Sequence, residues 1–158
     1  TALFQLMTSA REAPRPGKAD ANVGVSRVPD ERLDRLTALF NPRKRVPATV
    51  EIIDNAATLR DSGAQAGFAE AARRVDLLLH EVYSADRFKT RPPEWQRYHA
   101  RAHTSTDELA LLATRARPRQ LVLYHQLYWG TDDAGLVAEV GRAGYARGVV
   151  SARDLGVY

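Results

Sequence analysis

Apolar residues fall along this chain in a pattern that is faint in the first half and sharp in the second. Ala2 to Arg11 reads as a short helix, Pro14-Arg15-Pro16-Gly17 breaks it, and a polar, glycine-containing stretch follows to Ser26. Pro29 and Asp30 stand where helices start. Leu33, Leu36, Leu39 and Phe40 then recur at helical spacing up to a stop at Asn41-Pro42. Thr49 to Ile53 is a short β-rich run, and Ala64 to Arg74 reads as an alanine-rich helix whose closing arginines suit its C-terminal dipole.

From Val75 the signal strengthens. Val75-Asp76-Leu77-Leu78-Leu79 is the nearly continuous apolar run of a buried strand, and His80-Glu81-Val82-Tyr83 follows at once. An irregular stretch containing Arg91-Pro92-Pro93 separates it from His103-Thr104-Ser105-Thr106-Asp107-Glu108. That segment opens a helix with Leu109, Leu112, Ala113 and Ala116 on one face, and Ser105 with Glu108 has capping-box spacing. Pro118 ends the helix, Leu121 to Tyr124 forms a second strand that terminates in His125, a helix from about Asp132 to Ala143 follows, and Gly148 to Ser151 is a last strand. Strand, helix, strand, helix, strand is the order of a parallel α/β sheet. Its functional side chains gather at the carboxyl ends of the strands, where this reading places both His80 and His125.

Composition narrows the chemistry. The 158 residues contain no cysteine, which excludes disulfides and thiolate metal sites and leaves His, Asp and Glu as possible ligands. No stretch approaches the ~18 apolar residues of a membrane span, and the N-terminus lacks the features of a signal peptide, so the expected location is the cytoplasm. The net charge of +4 comes from arginines and acids that are largely interspersed. The Arg43-Lys44-Arg45 triplet sits between prolines and reads as a solvated loop, so nucleic acid is possible as a partner but not indicated.

There are only four histidines: His80 and His125 at the two strand ends, His103 before a helix N-terminus, and His99 in the loop between. Each alone has a bland structural reading, but their joint placement would bring them to one cleft. His103 has a further argument, since the positive end of a helix dipole favours neutral imidazole, which can bind metal or accept a proton.

The strings Asp76-Leu77-Leu78-Leu79-His80-Glu81, His103-Thr104-Ser105 and Leu121-Val122-Leu123-Tyr124-His125 occur in the order and context of three distal motifs. In this they resemble metallo-β-lactamase-fold metal-dependent hydrolases, closest to the ribonuclease Z-like and arylsulfatase-like branches. The resemblance continues through Val149 to Leu155 and covers about half of the chain. It implies an αββα-type α/β fold of which residues 75–158 form the C-terminal half; residues 1–74 resemble nothing in the family's first half and read from their own pattern as a helical and loop segment holding a short strand. It further implies His125 as a metal ligand, His103 as general acid, and His80 and Glu81 as residues that orient ligands rather than bind metal. His99 and Trp95 lie in a loop near the mouth of the family's cleft.

The family's metal-bridging aspartate has its natural counterpart in Asp61 of Arg60-Asp61-Ser62-Gly63, a position equally suited to capping the following helix. The His-x-His-x-Asp-His signature that supplies most ligands of a dinuclear site is absent from the chain. Two expectations follow. The chain is either part of a zinc hydrolase, with two ions in a complete protein, acting on a small-molecule or phosphodiester substrate, or a non-catalytic module that keeps the fold without the metal site.

Overall fold

A computed structural model describes residues 2–8, 22–54, 69–70, 72–73 and 75–158 of the chain. They belong to two compact units, residues 1–56 and residues 57–158.

In the first unit the structure places helix α1 (Ala2–Thr8), strand β1 (Asn22–Arg27), helix α2 (Glu31–Phe40) and strand β2 (Thr49–Asp54). β1 and β2 pair antiparallel, from Asn22 opposite Asp54 to Arg27 opposite Thr49. The polar stretch ending at Ser26 therefore hides a strand, which the alternation of Val23 and Val25 could have signalled. Gly24 lies beneath α1, and a Cβ there would stand 2.6 Å from the methyl of Thr8 and 2.8 Å from the ring of Phe4. Only glycine admits so close an approach. Asp30 caps α2 by accepting hydrogen bonds from the amides of Arg32 and Leu33, and Asn41 closes it in the left-handed region. The Arg43-Lys44-Arg45 triplet lies in an exposed loop, with Arg45 paired to Asp34.

The second unit contains strand β3 (Leu77–Tyr83), the short helix α3 (Ala85–Phe88), helices α4 (Pro93–Ala102) and α5 (Thr106–Ala116), strand β4 (Gln120–Leu127), helix α6 (Asp133–Arg142) and strand β5 (Val149–Ser151). Its three strands form a parallel sheet in the order β3-β4-β5. The stretch read as irregular around Arg91-Pro92-Pro93 is instead two helices. Pro93 opens α4, where the missing amide costs nothing and the fixed φ suits the first turn. The helix expected over 64–74 lies largely outside the described residues, although Ala69 and Glu70 are helical.

Strand alternation divides the sheet's residues between its two faces. Leu78 and Val82 of β3, Leu121 and Leu123 of β4 and Val149 of β5 turn toward Leu109, Ala110, Leu112, Ala113 and Ala116 of α5 and Leu136 and Val140 of α6, making the main core. On the opposite face Val122 is buried, whereas Leu77, Leu79 and Tyr124 are 44%, 54% and 46% exposed. Helices thus cover one side of the sheet and leave an apolar, partly open surface on the other.

Candidate functional site

Glu81 lies on β3, and its side chain emerges on the face opposite that of His80, because neighbours in a strand point to opposite sides. One carboxylate oxygen accepts the backbone amide of Thr104 at 2.7 Å, and the other accepts Nδ1–H of His103 at 3.1 Å. Both bonds are charge-assisted and sheltered from solvent. Because Nδ1 is committed to Glu81, Nε2 is the His103 nitrogen free to hold or pass a proton. A carboxylate that orients an imidazole and stabilises its protonated form is the arrangement general acids and bases require.

His125 reaches the same place through a break in the sheet. Tyr124 pairs with Glu81 and Gln126 pairs with Val82, so His125 is an extra residue bulged out of β4, with φ at 47°. Bulges redirect a side chain and end regular pairing. The His125 ring stacks on that of His103, with centroids 5.7 Å apart and planes 30° from parallel.

His99 extends the stack. The missed helix α4 sets Trp95, His99 and His103 four residues apart along one side. Trp95 and His99 lie 5.3 Å apart, and His99 and His103 lie 5.5 Å apart, both pairs stacked. His99 is buried, and its Nδ1 donates to the Trp95 carbonyl at 2.9 Å. Trp129 meets His99 edge-on at 4.8 Å, packs against Tyr83 and Phe88, and carries the Arg91 guanidinium over its ring at 5.4 Å. The place of Trp129 in this cluster was not legible in the sequence, since it depends on a loop after β4 folding back over α4.

Two expectations are corrected by these positions. His80 is not at a strand end but in the middle of β3, opposite Leu123, on the side facing the helices. Its Nδ1 donates to the Glu81 carbonyl at 2.7 Å, and burial lowers its pKa, which keeps the ring neutral. His80 and Glu81, paired in the sequence reading, are thereby separated, and only Glu81 meets His103. His103, for its part, is the C-cap of α4 as well as the entry to α5. The negative end of one helix offsets the positive end of the other there, so the argument from a single dipole loses its basis. Asp61 lies outside the described residues.

A zinc site needs three or four converging ligands. Among the described residues no group of three or more His, Asp or Glu side chains could hold a metal ion. Glu81 is already engaged by His103 and by the Thr104 amide. The described residues therefore do not by themselves fit a zinc ion.

With the geometry in hand, the chain can be set beside known proteins. Its fold is that of the metallo-β-lactamase-fold proteins. It superposes on the crystal structure of the metallo-beta-lactamase fold protein YhfI from Bacillus subtilis with a TM-score of 0.50 and 17% identity, covering 96% of this chain and 58% of that one. Part of the sequence is similar to a different protein, the ribosome-binding ATPase YchF. It is 40% identical over 67 residues to that of Bacillus subtilis and 37% identical over 67 residues to that of Mycoplasma genitalium. Each match covers 40% of this chain, which spans only 18% of the length of these relatives. No family model matches the chain.

Proposed function

We propose that residues 75–158 are the distal part of a metal-dependent hydrolase, binding zinc, that cleaves a phosphodiester or related ester, with the metal ligands other than His125 supplied from outside the described residues. The observation that carries this reading is the meeting of Glu81, His103 and His125: a carboxylate-held imidazole with one free nitrogen, stacked against a second imidazole that a bulge turns out of the sheet. In this reading His103 Nε2 protonates the leaving group, Glu81 stabilises the charge that His103 carries, His125 is a ligand, and Asp61 is a further candidate ligand. His99, met edge-on by Trp129, stacks on His103 and limits how far that ring can turn.

Zinc analysis of the protein, combined with hydrolysis of bis-p-nitrophenyl phosphate, tests the reading. His103→Ala is expected to slow turnover by roughly 10²–10⁴-fold with zinc retained, and His125→Ala is expected to lower zinc content. Metal-free protein with unaltered activity overturns it. Protein that is folded but lacks both zinc and hydrolysis favours the second reading, a non-catalytic module.

The similarity to YchF covers 40% of this chain and 18% of that relative's length, and the reading above rests on the chain's own residues 75–158.

A further inference from the structure

Glu139 belongs to neither the stack nor the candidate ligands, yet it is a buried carboxylate, 6% exposed, on α6. One of its oxygens accepts Ser84 Oγ–H at 2.6 Å and the other accepts Thr106 Oγ1–H at 2.8 Å. Ser84 immediately follows β3 and caps α3, also accepting the Arg87 amide at 3.1 Å. Thr106 is the first residue of α5 and accepts the Ala85 amide at 3.2 Å. A single carboxylate therefore ties the end of the strand that carries Glu81 to the start of the helix that His103 and Thr104 lead into.

We propose that Glu139 is a positioning residue that sets the Glu81–His103 pair, an inference that rests on reading that pair as the proton-transfer element. Ser84 stands three positions after Glu81, and Thr106 two positions after Thr104. The two anchor points accordingly lie within three positions of the bonds they control. Between them the backbone adds its own support, with the Tyr83 amide donating to the Thr104 carbonyl at 2.9 Å. A buried carboxylate held by two hydroxyls, with the Asp86 amide donating more distantly at 3.5 Å, is a costly way to fill space, because desolvating its charge opposes folding. It is an effective way to fix two backbone segments at one distance, since both bonds are charge-assisted and directional. On this account, loss of Glu139 lets the α5 entry shift relative to β3, and the Thr104–Glu81–His103 bonds lengthen together.

The test is NMR on the whole chain, following the Thr104 backbone amide and the His103 ring Nδ1 proton in the parent protein and in Glu139→Ala and Glu139→Gln. In Glu139→Ala the Thr104 amide is expected to move upfield and its hydrogen exchange to speed by roughly tenfold relative to the amides of Leu121 and Val122, the factor that one lost hydrogen bond represents. The His103 Nδ1 proton signal is expected to weaken, and Glu139→Gln, which keeps one acceptor, to fall between. Should Glu139→Ala fail to fold, Thr106→Val and Thr106→Ser replace it. Valine removes the hydroxyl donor and should reproduce the shift, whereas serine keeps the hydroxyl and should restore the parent signals. A variant with a lower melting temperature but unchanged Thr104 and His103 signals overturns the proposal and leaves Glu139 a structural residue. If these signals move while no phosphodiester is hydrolysed, the proposed function fails and the positioning role stands.

Discussion

At φ 47°, His125 holds a backbone conformation that costs a residue with a Cβ roughly 1–2 kcal/mol. Strain of this kind persists where surrounding structure imposes it, and here the imposing structure is the parallel pairing of β4 with β3 on either side of the bulge. His125→Gly is expected to raise thermal stability, by up to about 1 kcal/mol, while removing the imidazole; denaturant unfolding measures this, and a loss of stability would show that the ring's packing on His103 outweighs the strain. His80 is a second informative residue. Its folded pKa lies below the ordinary value of ~6.5, so between the two values the unfolded chain binds the additional proton. The contribution of neutral His80 is complete above about pH 6.5 and declines as pH falls toward the folded value. Melting temperatures measured downward from neutral pH are expected to fall less in His80→Leu than in the parent.

Among the elements, α5 was the most legible. Ser105 accepts the Glu108 amide at 3.1 Å, and the Glu108 carboxylate accepts the Ser105 amide at 2.9 Å, so the reciprocal cap inferred from spacing is complete. Ser105→Ala is expected to cost about 1 kcal/mol, read from the shift in denaturation midpoint. Helix α4 was the element most thoroughly missed. Arg91-Pro92-Pro93 resembles a loop, and Trp95, Tyr98 and His99 offer no apolar stripe of the usual aliphatic kind. Its helical character depends on Pro93 at the first position and on aromatic rings packing along one side. Missing α4 also hid the spacing that aligns Trp95, His99 and His103. The pleat of β3 had the opposite effect: alternation alone separates His80 from Glu81, a consequence that was available from the sequence once the strand was recognised.

For the whole molecule, the sheet of the second unit has unequal faces, and stability should follow them. Leu123 is fully buried against α5 and α6, so Leu123→Ala is expected to cost about 2–5 kcal/mol. Leu79, equally apolar but 54% exposed, should tolerate Leu79→Ser within roughly 0.5 kcal/mol. Equal costs for the two, measured by urea unfolding, would mean that the second face is covered in solution. The chain spans 58% of the solved structure it matches, and that structure shares its fold at 17% identity, so its likeness speaks to architecture and leaves chemistry to the chain's own residues.

The sequence by itself determined the order β3, α5, β4, α6, β5, the α5 cap, the parallel topology and the candidate residues Glu81, His103 and His125. These follow from local periodicity and from backbone valence, which act over a few residues. The tertiary structure decided which of those residues meet. Glu81 joins His103 and His80 does not, His125 enters through a bulge, Trp129 folds over His99, and Glu139 ties β3 to α5 from a helix 55 residues after Ser84. Each depends on strand register or on packing between segments far apart in the chain, and no local pattern encodes those distances.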